Sequence, residues 1–192
     1  MIRTATVIAA AALLAGCASN PPPEPPVMVA AVDPNSPLAA PMYMQMAASG
    51  DLFEIQSSQL AHQMGRSPAV HGFASMLIAD HTRMSNEMIA AALTAGLAPP
   101  PPALLPHHQA MLDQLRAAGP NFDTVYRDVQ VTAHQEALQL HQNYASGGDH
   151  PALRAVASAA VPVIQAHLAQ AQALAVTAPP PPTPTPQPGE RG

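Results

Sequence analysis

The chain has 192 residues, with twelve acidic side chains against seven arginines, no lysine and a formal net charge of −5. A sparse, weakly acidic charge set without a basic stripe argues against nucleic acid or an anionic membrane face as partner. A single cysteine, Cys17, excludes a disulfide framework and a thiolate metal site.

That cysteine closes the run Leu14-Ala15-Gly16-Cys17, behind an apolar stretch that starts after Arg3. A positive start, an apolar core and small residues before a cleavage point define a secretory signal. A cysteine just past the cut marks a bacterial lipoprotein. The stretch from Thr4 to Ala15 is too short to cross ~30 Å of hydrocarbon. Residues 1–16 are therefore expected to be removed and Cys17 to be lipidated, tying the chain to a membrane through acyl chains. Ala18 follows it, not the aspartate associated with inner-membrane retention, so the expected address is the outer membrane facing the periplasm. Seven of the 24 prolines fall between Pro21 and Pro37, and residues 17–37 read as an extended tether of roughly 60 Å at about 3.1 Å per residue.

Residues 38–177 show helical periodicity, few aromatics and many alanine, leucine, methionine and glutamine residues, which suit helices. Ser36-Pro37, Ser67-Pro68 and Asp149-His150-Pro151 read as helix starts; Gly96, Pro99 to Pro102 and Gly147-Gly148 read as stops. The spacing predicts helices over 38–64, 68–95, 104–147 and 150–176, with Gly119-Pro120 breaking the third and Pro162 kinking the fourth. Short connections within the first and last pairs imply antiparallel neighbours, hence an all-α, up-and-down four-helix bundle. Seven methionines between Met42 and Met88 are expected to fill core space. Residues 178–192, again proline-rich, read as a disordered tail.

The second helix carries Val70, Ala74, Leu77, His81, Met84 and Met88 on one seam; the last carries Leu153, Ala157, Ala160, Ile164, His167 and Ala171. A histidine inside each seam requires a partner, since an unpaired buried polar ring costs a few kcal/mol. Matching helix midpoints places Glu54, His81, His134 and His167 at one level on four helices, with Glu136 as a substitute ligand. Imidazoles with a carboxylate inside a dry bundle suit zinc, copper or iron. One shared ion requires the His81 and His167 nitrogens to lie within ~8 Å. The alternative is satisfied core histidines, hydrogen-bonded to Tyr126, Tyr144, a carboxylate or buried water. Asp80, Arg83 and Glu87, and likewise Asp123 with Arg127, read as surface ion pairs, and the remaining histidines as mostly exposed.

There is no nucleophile elbow, P-loop or dinucleotide fingerprint, and no Glu-x-x-His precedes His81, His134 or His167. The ordered set Phe73-Ala74-Ser75-Met76, Asp80-His81, Phe122-Asp123, Tyr126, His134, and Pro162 with His167-Leu168 resembles a bacterial family, domain of unknown function 4142, over about residues 40–176. The resemblance implies a ferritin-like four-helix domain, with histidines matching His81, His134 and His167 and an acid matching Glu54, and no established activity. Two expectations follow. The first is a lipid-anchored, non-enzymatic envelope protein presenting a helical binding or structural module. The alternative is a metal-binding protein that stores, buffers or uses a transition metal at the mid-bundle site.

Overall fold

A computed structural model describes residues 32–176. Cys17, the lipoprotein signal and the proline tail from residue 178 lie outside the described residues. The described part is all-helical, without strands: α1 (Ala40–Met64), α2 (Pro68–Thr94), α3 (Pro106–Ala117), a 3₁₀ turn (Gly119–Asn121), α4 (Phe122–Gly147) and α5 (Pro151–Gln172).

Local chemistry sets most boundaries. At the α2 start, the Ser67 hydroxyl accepts from the Ala69 amide at 3.2 Å, and Pro68 occupies the first turn where its missing donor is harmless. At the α2 end, Gly96 adopts φ 73°, while the Leu97 amide reaches back to Ala92 and the Gly96 amide to Leu93. That pair of bonds closes the helix in a left-handed cap that favours glycine. α1 ends where the backbone turns extended at Gly65 (φ −66°, ψ 149°), a position that suits glycine because a Cβ there would lie 2.5 Å from the Ala61 carbonyl oxygen. Two starts differ from expectation. α1 begins at Ala40 with Pro41 in its first turn, because Ser36 instead closes a turn by accepting from the Leu38 amide at 3.2 Å. α5 begins at Pro151 with no side-chain cap, as Asp149 accepts from the Tyr144 hydroxyl at 2.9 Å. Pro162 sits inside α5, which continues to Gln172.

The main packed pairs are α1–α2, α4–α5, α2–α5 and α1–α4, with α3 lying on α1 and α4. One apolar cluster joins Ala61 near the end of α1, Val70 near the start of α2, Phe122 at the start of α4 and Ala171 at the end of α5. A second joins Tyr43, Met88, Tyr144 and Leu153, from the opposite ends of the same helices, and a small third joins Met84, Ala160 and Ile164. Consequently α2 and α4 run in the same direction. This corrects the up-and-down expectation: consecutive long helices α2 and α4 are parallel, so the connection from Ala95 to Asn121 returns along the whole helix length. Its prolines keep the first part extended and α3 covers the α1–α4 seam on the way back.

Candidate metal centre

Between the first two of these apolar clusters, one imidazole from each of α2, α4 and α5 meets the others: His81, His134 and His167, exposed by 3 %, 0 % and 2 %. One ring nitrogen of each lies within 4.8 Å of the corresponding atoms of the other two. The ring centroids are 5.6 Å apart for His81–His134, and 5.4 Å for both His81–His167 and His134–His167. The ~8 Å requirement for a shared ion is therefore met.

The outer nitrogen of each ring is held from behind. His81 Nδ1 lies 2.9 Å from Asp51 Oδ1, His134 Nδ1 2.9 Å from the Gln130 carbonyl, and His167 Nε2 3.0 Å from Asp80 Oδ2. The Gln130 carbonyl and the Asp80 carboxylate only accept, so His134 Nδ1 and His167 Nε2 donate, and His81 Nδ1 donates to the ionised form of Asp51. A neutral imidazole has one donor and one acceptor. The remaining atoms, His81 Nε2, His134 Nε2 and His167 Nδ1, are therefore lone pairs, and all three are buried without a partner. Three acceptors facing one another with no donor among them are satisfied by a cation or by a buried donor such as water. Burial, the largest cause, pushes His81 down to about 4 and His134 to about 3, and lowers His167 as well. All three rings are thus neutral near pH 7, the form that ligates a metal.

The donor set fits a metal ion. An equilateral triangle with the observed maximal edge puts its centre ~2.8 Å from each nitrogen, and a contraction of ~0.7 Å per ring reaches the 2.0–2.1 Å of a metal–imidazole bond. Hydrogen-bonded acceptors behind ligating histidines are the usual device for fixing tautomer and ring orientation.

The other candidates fall elsewhere. Glu54 is buried and its Oε1 lies 3.5 Å from His134 Nδ1, on the outer side of that ring, so its carboxylate does not join the three nitrogens. Burial holds Glu54 well above the ordinary carboxylate range. Glu136 does not reach the histidines at all: it points outward from α4 and pairs with His107 Nε2 at 2.8 Å. Asp80 and Arg83 form the expected exposed pair at 3.3 Å, yet the second Asp80 oxygen turns inward to His167. Burial tends to raise Asp80, but the bonds from His167 and Arg83 outweigh it and hold the carboxyl below its usual range. Asp123 does not pair with Arg127. It is buried and accepts from the Arg66 and Ser67 amides, both at 2.9 Å, while Arg127 turns to Asp128.

Two buried groups were not visible as site residues in the sequence. Asp51, pushed up to about 7 by burial, supports His81; its only sequence signal is an acid one turn before Glu54. His141, expected to be exposed, is buried, pushed down to about 4 by burial, and its Nδ1 lies 3.0 Å from the Tyr43 hydroxyl.

The family model described as "Domain of unknown function (DUF4142)" matches residues 26–174, and the chain belongs to that family. No curated protein matches it. Two solved structures share the fold. "CopM in the Cu(II)-bound form" aligns with TM-score 0.60 at 21% identity, covering 70% of this chain and 94% of that one. "CopM in the Ag-bound form (by co-crystallization)" aligns with TM-score 0.59 at 21% identity, covering 70% and 93%.

Proposed function

We propose that this member of the DUF4142 family holds one transition-metal ion, copper foremost, between His81, His134 and His167. The observation that carries the reading is the trio of buried, unpartnered imidazole lone pairs, each ring fixed from behind. Neutral imidazole suits copper and zinc, and the Irving–Williams order favours copper(II). Iron is disfavoured, since non-haem iron sites commonly add a carboxylate and Glu54 stands outside the trio. The copper- and silver-bound states named for the two structures of similar fold support the same choice.

The parallel α2 and α4 with a full-length return connection are the arrangement of a ferritin-like four-helix bundle, and we assign the domain at 38–177 to that class. The lipobox and the proline tether support an address at the outer membrane, facing the periplasm. There the domain captures and retains the ion; no catalytic role is proposed. A bound copper ion supplies a redox-capable cation. His81, His134 and His167 supply the ligands, Asp51 and Asp80 keep two rings in the ligating tautomer, and the flanking apolar layers exclude water.

Elemental analysis of untagged protein tests this directly. We expect about one copper or zinc per chain, lost in the His81→Ala/His167→Ala double variant while the helical circular dichroism persists. Protein that stays metal-free after reconstitution with copper, zinc and iron would return the chain to the simpler reading, a helical module without a metal.

A further inference from the structure

The three ligating nitrogens are shut off from solvent, so an ion needs a way in. A cavity of about 150 Å³ lies in the layer next to them. Met84, Ala137 and Ile164 line it, each three residues from a ligand on the same helix, with Asp51 and Gly50 of α1 completing the wall. His81 is the ligand that lines it, together with its hydrogen-bond partner Asp51. The cavity passes beneath the start of α3 to His107 and Glu136, whose side chains are 57% and 48% exposed and bonded at 2.8 Å.

We infer that this cavity is the loading route for the ion, and that the His107–Glu136 pair is the latch across its mouth. The inference rests on the metal reading above. Inside the latch, the path is lined by the Met84 thioether and the Asp51–His81 pair. Each of these attracts a cation or ligates one. The rival route lies on the α2–α5 side, where a smaller cavity of about 50 Å³ reaches the same Asp51 and Met84. Its mouth carries Arg83, bonded to Glu87 at 2.9 Å and to Asp80 at 3.3 Å. Opening that mouth means breaking both ion pairs of Arg83, whereas the mouth under α3 is closed by the single His107–Glu136 pair.

Gly50 offers a plug that does not threaten the fold. A Cβ at this position in α1 would meet only His108 Cε1, at 3.9 Å, and replacing a mid-helix glycine favours the helix. The test uses the full chain, copper(II) as loading ion and EDTA as acceptor. Quenching of the three tyrosines, in a chain without tryptophan, reports occupancy. Gly50→Leu should slow both loading and release by about 10-fold or more with Kd unchanged, because a route changes rates and not the end states. Gly50→Ala, with the same helix gain but little added bulk, should exchange like the wild type. The His107→Ala/Glu136→Ala variant should accelerate both directions.

Refolding in copper fills the site by any route and so separates the two levels of the reading. If wild type and Gly50→Leu both refold with one copper yet exchange at the same rate, the route is wrong and the site stands. The route is equally overturned if Arg83→Ala alone accelerates exchange. If neither protein holds copper after refolding, the site itself is wrong, and the route falls with it.

Discussion

Replacing His134 by leucine separates a metal site from a core histidine that merely packs. The ring is fully enclosed, with Phe73 at 6.4 Å and His81 and His167 on the other sides, so an apolar side chain of similar size can take its place. Its Nε2 is a buried acceptor with no donor, and such an orphan costs roughly 1–3 kcal/mol. The Gln130 carbonyl that Nδ1 contacts lies four residues back on α4, where the helix's own amide ladder already reaches it. Removing the ring therefore strands no backbone group and gives up only the 3.5 Å contact with Glu54. In a chelator-containing buffer, His134→Leu should raise unfolding stability by about 1–2 kcal/mol, a rise in Tm of roughly 3–6 °C for a domain of this size. Adding copper should then raise the Tm of the wild type but leave the variant unmoved, since two of three ligands remain. Thermal melts with and without copper, followed by circular dichroism, decide it. A variant that is less stable than the wild type without metal, and equally responsive to copper, would refute the reasoning: the ring would be a packing element with a partner after all.

Other consequences follow from the same geometry. Asp80→Asn keeps an acceptor beside His167 but removes the charge, and should weaken metal affinity about 10–100-fold by chelator competition with the fold intact. His141, depressed to about 4 by burial, is neutral in the fold, while an unfolded histidine titrates near 6.5. Its contribution is present above pH 6.5 and is lost as pH falls toward 4, by up to about 3 kcal/mol. His141→Gln should flatten urea midpoints between pH 7 and 4.5 in metal-free protein. Asp123→Ala removes the acceptor for two amides of the α1–α2 turn and should cost about 2–3 kcal/mol in urea unfolding, without changing copper stoichiometry.

Much of the helical plan is local chemistry, and local chemistry is legible in a sequence. Ser67-Pro68 and the glycine after α2 mark their helix ends because capping involves residues within a few positions of one another. His81 and His167 stand out because apolar periodicity exposes any polar residue set in the seam, and equal helix midpoints bring His134 to the same level. Glu136, Asp123 and Asp51 misled or escaped that reading for one reason. A carboxylate's role depends on which helix comes to face it, and residue spacing along one helix is silent on its neighbours. Glu136 meets His107 of α3, Asp123 meets the α1–α2 turn, and Asp51 meets His81 across the interior.

The all-α class, the approximate helix limits and the core positions of His81 and His167 were thus readable from residue order alone, since each follows from the 3.6-residue period and the backbone's own hydrogen bonds, whereas His134 was legible only by its level on the flank of α4. The direction of α2 relative to α4 emerged only in three dimensions, because a proline-rich connection of that length permits either course. Packing also selected which nitrogen of each histidine faces inward. That choice depends on Asp51, Asp80 and the Gln130 carbonyl holding the opposite edge of each ring, and it leaves one unpartnered nitrogen on each of three neighbouring rings.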